Sequence, residues 1–183
     1  MSDAKRLIEE KARGKDAAAI VAESKARRAI RTETQLPNPD TISALNHVVA
    51  NLTVLNQKLR HFHWNVVGEN FFDIHEFFGT IYDQLVEHID QFAERVRQLK
   101  GTPVHTLKDM IDLAIVSETS DTPSDMAMCK EILEDFDKVI SSLGVVVDMS
   151  AKRGDRPTTY LVDTVVGCYE KHQWFLRSFM GAK

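Results

Sequence analysis

Two histidines and two carboxylates are spaced in a way that could bind metal ions. His63 and His75 are twelve residues apart, and Asp90 and Glu94 follow His75 by fifteen and nineteen residues. Imidazole nitrogens and carboxylate oxygens together suit divalent iron, manganese or zinc better than calcium. Asp90 and Glu94 are four residues apart, so on a helix their charges would repel each other unless a cation lay between them. The spacing therefore favours a transition-metal site.

The elements that must position these residues are helices. Four long segments repeat apolar residues every three or four positions, as amphipathic helices do, and no segment alternates with the period of a strand. The first helix is predicted to run from a cap at Asp40 or Thr41 to about Val66. The second is predicted to carry its apolar stripe from Ile74 to Leu99.

The third and fourth predicted helices cover about 124–151 and 158–180, and a short helix is expected at 106–115 in the long connection before them. The apolar face of the fourth helix is assigned to Leu161, Val165, Cys168, Trp174 and Phe175. Short turns, similar helix lengths and one long connection predict an all-α fold. The architecture is a four-helix bundle with a single crossover between the second and third long helices.

One face of the second predicted helix carries several candidate ligands. At about 100° per residue, the acidic candidates fall within about 100° of His75, away from the apolar stripe. An ordinary solvated surface is the alternative interpretation. Small or modest side chains also recur along this face at heptad spacing, which suits close approach by another helix: Gly79, Val86 and Ala93. The acidic candidates on this face are Asp83, Asp90 and Glu94.

A single helix cannot bring His75 and Asp90 to one metal ion. Fifteen residues at a rise of 1.5 Å separate them by about 22 Å. If this helix packed antiparallel on its own copy across a two-fold axis, His75 of one subunit would approach Asp90 and Glu94 of the other, twice. The sequence lacks the two Glu-x-x-His pairs of an internal di-iron bundle, so a site between subunits is favoured.

Three other histidine assignments follow from helix position. His63 lies near the apolar stripe of the first helix and is either a metal ligand or a core histidine. His61 is expected on the exposed side of that helix. His88 borders the core face of the second helix and is expected to be structural.

The first 36 residues differ in charge from the rest. Residues 1–35 hold nine Lys or Arg and six Asp or Glu, a balance of +3, whereas the whole chain has a net charge of −4. We expect a partly disordered basic arm over 1–36 and one bundle domain over 37–183. A solvated tail and a tail that contacts DNA phosphates both fit this composition. The basic residues are Lys5, Arg6, Lys11, Arg13, Lys15, Lys25, Arg27, Arg28 and Arg31.

The remaining composition predicts an ordinary cytoplasmic protein. Hydrophobic residues make up 43% and charged residues 27%, which argues against global disorder. No apolar run reaches the roughly 18 residues that span a bilayer, and the chain begins with charge instead of a signal region. Cys129 and Cys168 match no metal-binding spacing such as C-x-x-C and are expected to be buried thiols.

The sequence resembles the Dps family of mini-ferritins over about residues 40–180. The resemblance rests on these motifs: His63-Trp64-Asn65-Val66-x-Gly68, Phe71-Phe72, His75-Glu76, Asp90-x-x-Ala93-Glu94-Arg95 and Glu170-Lys171-His172-x-Trp174-x-Leu176-Arg177.

The resemblance implies a ferritin-like bundle that assembles into a hollow dodecamer. There Fe²⁺ would be oxidised to Fe³⁺, preferably by hydrogen peroxide, and stored as ferric mineral. The ferroxidase ligands would be His63 and His75 of one subunit with Asp90 and Glu94 of its neighbour. Trp64, beside a ligand, would be either an electron donor that quenches radicals or a packing residue. The family also implies a nucleoid-associated, DNA-protecting protein.

One position departs from the family pattern. Members commonly carry an acidic residue four positions after the second histidine, where this sequence has Gly79. A second iron there would be weakly bound, coordinated by water or bound by Asp83. The main alternative is therefore a structural, nucleoid-compacting shell with a residual metal site. A monomeric metal-binding bundle is the third interpretation.

Overall fold

The computed structural model describes residues 39–181, so the basic arm and its proposed DNA contacts lie outside the described range. Within that range the elements are five helices and no strand: α1 (Pro39–Asn65), α2 (Phe71–Gln98), α3 (Leu107–Leu113), α4 (Asp125–Lys152) and α5 (Arg156–Phe179). The predicted all-α fold is confirmed, with α3 inside the crossover from α2 to α4. None of these helices combines the length and hydrophobicity that a bilayer crossing requires.

Local sequence explains where three of the helices begin. The side chains of Thr106, Ser124 and Asp155 each accept a hydrogen bond from the backbone N–H three residues later. Such caps satisfy one of the free N–H groups of a first turn. Between α4 and α5, Gly154 has a φ of +67°, which a residue without a Cβ adopts at little cost.

The core lies where α1 packs on α2 and α4, and α4 packs on α5. Its largest members are fully buried aromatic side chains from every long helix: Phe62, Phe78, Phe92, Phe136 and Tyr169. The apolar stripes that periodicity predicted for the first three long helices form this core. The polar face of α2 consequently lies outside the core of its own subunit.

The predicted apolar face of α5 was partly wrong. Trp174 and Phe175 are 57% and 37% exposed, and the buried face contains Val162, Val165, Tyr169, His172 and Leu176. This face includes polar groups because they find partners inside: the Tyr169 hydroxyl lies 2.8 Å from Nδ1 of His88. Hydrophobic periodicity could not identify them, since it does not detect buried hydrogen bonds. The same contact fits the structural role expected for His88.

A buried network of charges joins α1 to α4. Nζ of Lys58 lies 2.6 Å from Asp135 and 2.7 Å from Glu131, and Nζ of Lys138 lies 2.6 Å from the other oxygen of Asp135. The side chains of Lys58 and Asp135 are 3% and 1% exposed. A carboxylate this deeply buried is tolerated because cations pair with both oxygens.

Candidate metal centre

His63, near the end of α1, and His75, in the second turn of α2, face each other. Nδ1 of His63 lies 2.6 Å from the backbone oxygen of His75, and Nδ1 of His75 lies 2.8 Å from the backbone oxygen of His63. The ring centroids are 3.7 Å apart, with an interplanar angle of 19°. The two rings are therefore stacked and each is held by the backbone of the other residue.

The reciprocal hydrogen bonds determine which nitrogen of each ring remains available. A backbone carbonyl can only accept, so Nδ1 must carry the proton in both rings. Each neutral imidazole then has its lone pair on Nε2. A histidine that donates Nδ1–H to a carbonyl and presents Nε2 has the tautomer and orientation common among metal ligands. The structure thus leaves Nε2 of both imidazoles as candidate metal donors near the connection between α1 and α2.

The short connection between α1 and α2 sets this arrangement. Gly68 has a φ of +117°, and its carbonyl accepts a hydrogen bond from the N–H of Phe71 at the start of α2. The Phe71 ring stacks on His75 with centroids 5.1 Å apart. Asn70 anchors the turn to α4 by donating to Asp125 at 2.7 Å. This turn keeps His63 and His75 close enough for the ring of each to donate to the backbone oxygen of the other.

Gly79 and Tyr82 enclose the other side of His63. A Cβ added to Gly79 would lie 3.3 Å from Cε1 of His63, closer than an ordinary van der Waals contact. The Tyr82 ring meets His63 edge to face at 5.2 Å, and the Arg60 guanidinium lies 4.8 Å above the Tyr82 ring. The structure thus shows a close contact at Gly79 within the subunit, against His63, which differs from the predicted approach by a helix of a second subunit. A contact between two α2 helices there stays a prediction.

The predicted carboxylate ligands are separated from the histidine pair within one chain. Asp83, Asp90 and Glu94 are all exposed on α2. Because α2 is continuous, Asp90 is about 22 Å from His75 along the helix axis. In the described part of the chain, no three His, Cys, Asp or Glu side chains converge on a possible metal position. The fold brings together only His63 and His75 of the predicted ligand set.

Sequence analysis made one wrong prediction near the site, for His61, and did not single out Tyr82. His61 was predicted to be exposed but is half-buried, with Nε2 3.0 Å from the backbone oxygen of Asp121. Tyr82 was overlooked, although it lies seven residues after His75 and hence on the same helix face. Trp64, next to His63, is 62% exposed, so it does not pack in the core of its own subunit.

Comparisons with known proteins agree with this architecture. The ferritin family model, described as a ferritin-like domain, matches residues 42–182. The chain is 38% identical over 136 residues to the DNA protection during starvation protein of Brevibacillus brevis, covering 74% of this chain and 91% of the relative. It is 34% identical over 140 residues to general stress protein 20U of Bacillus subtilis, covering 76% and 97%.

The crossover bundle and its paired histidines define a protein of the ferritin-like class. Among solved structures, Dps from Staphylococcus aureus matches with a TM-score of 0.77 at 30% identity, covering 81% of this chain and 99% of that one. A Dps protein from Bacillus brevis matches with a TM-score of 0.75 at 36% identity, covering 76% and 94%. The chain belongs to the Dps family of mini-ferritins.

Proposed function

We propose that this protein is an iron-oxidising and iron-storing mini-ferritin. It oxidises Fe²⁺ with hydrogen peroxide at ferroxidase sites between subunits, stores the ferric product inside a hollow dodecamer and protects DNA. The observation that carries this proposal is the reciprocal pair of His63 and His75, in which Nδ1 of each ring is held by a backbone oxygen and Nε2 is left as the donor atom. The membership of the chain in the Dps family supports the same function.

The site needs ligands from a second subunit. Two imidazole nitrogens are too few for a transition metal, which usually takes at least four donors. Asp90 and Glu94 are both exposed on α2. They lie too far from His75 along the helix axis to reach the histidines of their own chain. In an antiparallel pair of α2 helices, each pair of carboxylates would lie beside the histidines of the neighbour. Every two-fold interface would then have two equivalent sites.

Fe²⁺ is the substrate of this reaction. Hydrogen peroxide accepts two electrons and two protons to leave as water, so two ferrous ions lose one electron each for every peroxide consumed. Nε2 of His63 and of His75 would hold the ion, and the carboxylates of Asp90 and Glu94 would favour the higher charge of Fe³⁺. The reaction removes Fe²⁺ and peroxide together, which prevents them from producing hydroxyl radicals.

We assign Trp64, exposed beside His63, as an electron donor that quenches radicals released from the site.

The second iron of each site is expected to bind more weakly than the first. Gly79 has no side-chain ligand, and the nearest acidic alternative on the same helix face is Asp83, one turn further on. The first ion has four candidate ligands, whereas the second would be coordinated mainly by water. Reduction of peroxide to water requires two electrons, so a second ferrous ion must be bound when the first reacts, and a weak second position would slow the reaction at low Fe²⁺ concentration.

DNA binding is assigned to the basic arm. Its nine Lys and Arg residues lie in a segment with no aromatic side chain for base stacking, so contacts would be made to phosphates without sequence preference. Twelve arms on one shell would combine weak contacts by raising their effective concentration.

Measurement of peroxide-dependent iron oxidation together with the mass of the assembly tests the proposal. We expect a particle of about twelve subunits that oxidises Fe²⁺ rapidly when peroxide is added without oxygen. The alternative, a mainly structural DNA-compacting shell, is favoured by Gly79 and the basic arm. It predicts the same particle without rapid oxidation, and a monomer would contradict both functions.

A further inference from the structure

A second cluster of possible metal donors lies between α5 and α2, apart from the histidine pair. Cys168 and His172 are one helical turn apart on α5 and both contact Gln84 of α2. Sγ of Cys168 lies 3.6 Å from Nε2 of His172 and 3.4 Å from Oε1 of Gln84. Nε2 of His172 lies 2.6 Å from the same Oε1. One sulfur, one nitrogen and one oxygen therefore face a common point.

The spacing of these atoms approaches that of a tetrahedral site. With metal–sulfur and metal–nitrogen bonds of about 2.3 and 2.0 Å, a tetrahedral angle separates sulfur from nitrogen by about 3.5 Å. The observed separation between Cys168 and His172 is 3.6 Å. Only the contact between His172 and Gln84 is too short, and it would open by less than an ångström. Gln84 is exposed, so its amide can make that movement.

His172 is buried so that its polar contacts, made by Nε2, are with Cys168 and Gln84. The ring is 5% exposed and stacks on Phe136 with centroids 5.9 Å apart. Its Nδ1 is buried and, in the part of the chain that the structure describes, has no hydrogen-bond partner. Nδ1 is therefore unpaired in either tautomer, and metal binding at Nε2 would leave no additional polar group unsatisfied. Among the residues that the structure describes, the ring makes polar contacts through Nε2 alone.

We propose that Cys168, His172 and Gln84 form a binding site for a thiophilic divalent cation, with Zn²⁺ as the expected ion. Binding breaks the S–H bond of Cys168, releases the proton to solvent and forms a sulfur–metal bond, with no change of oxidation state. The amide oxygen of Gln84 is the third donor, and water occupies the fourth position. Cys168 is half-buried, so the ion can enter from its side.

This site differs chemically from the proposed ferroxidase site. Thiolate sulfur prefers softer ions such as Zn²⁺, whereas the other ligand set contains only nitrogen and oxygen. An amide oxygen is a weaker ligand than a carboxylate or a second thiolate, so binding should be reversible. The cluster would thus hold Zn²⁺ without competing directly for Fe²⁺.

A spectroscopic experiment separates the two sites because only one contains sulfur. Co²⁺ is titrated into the full-length assembled protein, reduced beforehand and kept free of oxygen, and the near-ultraviolet charge-transfer band of a cobalt–thiolate bond is followed. We expect the band to saturate as Co²⁺ is added, at one cobalt–thiolate bond per chain, and to disappear when Zn²⁺ is added. No band in the unmodified protein would overturn the proposal.

Matched variants identify the ligands. Cys168→Ser should abolish the band, while Cys129→Ser, which removes the other thiol of the chain, should leave it unchanged. Gln84→Ala should weaken Co²⁺ binding about tenfold with little risk to folding, since the side chain is exposed. The double variant Asp90→Ala, Glu94→Ala should leave the band intact, whatever its effect on iron oxidation. The outcome for the cobalt–thiolate site is therefore independent of the outcome for the proposed ferroxidase site. A band that survived Cys168→Ser would refute the site.

Discussion

His63 and His75 hold each other by two hydrogen bonds, each from Nδ1 of one residue to the backbone oxygen of the other, at 2.6 and 2.8 Å. The pairing connects the end of α1 to the beginning of α2 and sets the tautomer of both rings. An imidazole held in this way has little rotational freedom left to lose when a metal binds. The histidine half of the candidate site is therefore formed within a single chain, before any second subunit is considered.

Replacing both Asp90 and Glu94 by Ala should abolish rapid Fe²⁺ oxidation by peroxide. Both carboxylates are exposed on α2, so helix content should not change. Stopped-flow absorbance of ferric product measures the rate, and mass measurement in solution checks assembly. Asp163→Ala, an exposed carboxylate on α5, is the control. Oxidation by the double variant at the unmodified rate would show that the two residues are not ligands.

Gly79→Asp tests whether the site binds one ion firmly and one weakly. Anaerobic calorimetric titration with Fe²⁺ should show one tight ion per site in the unmodified protein and stronger binding of a second ion in the variant. The new Cβ would lie 3.3 Å from Cε1 of His63, so the variant gains this ligand only if the ring shifts by a few tenths of an ångström.

Gly79→Ala separates the steric effect from the new ligand. Alanine restores about 1 kcal/mol of helix propensity but presses on the His63 ring. We expect slower iron oxidation without loss of thermal stability. Two equally tight ions per site in the unmodified protein would contradict the role assigned to Gly79.

Lys58→Met should destabilise the subunit by about 3 kcal/mol. Within residues 39–181, the change leaves the buried Asp135 carboxylate with Lys138 as its one cationic partner. Denaturant unfolding measures the loss, and Lys108→Met, which removes an exposed ion pair with Asp112, should cause no measurable change. Adding Asp135→Leu to Lys58→Met should recover part of the stability, because it removes the buried Asp135 carboxylate that lost its Lys58 partner. Equal effects of the two lysine changes would argue against the buried network.

Removing residues 1–36 should weaken DNA binding. The segment carries nine of the 23 Lys and Arg residues of the chain, and the remainder of the protein is acidic. Gel retardation should decrease most clearly at low salt, where phosphate contacts contribute most. A full-length variant with the nine basic residues changed to Gln separates charge from length. Unchanged retardation by both proteins would leave the arm without a role in DNA binding.

Local sequence patterns were sufficient to predict the helices and most of the core. Periodicity located all four long helices to within about three residues, because apolar spacing and capping residues such as Ser124 and Asp155 act locally. It failed on one face of α5, where Tyr169 and His172 are buried through hydrogen bonds to side chains of another helix. Such partners are distant in sequence and leave no periodic signal.

The candidate ligands could likewise be named from residue type and spacing, and the length of α2 already separated His75 from Asp90. The folded structure was needed to show that His63 and His75 stack, that both Nδ1 atoms contact backbone oxygens and that Gly79 lies against the His63 ring. These relationships depend on how closely α1 and α2 approach and on the turn at Gly68 that joins them. Distances of a few ångströms between side chains on different helices are set by packing, which local sequence patterns do not encode.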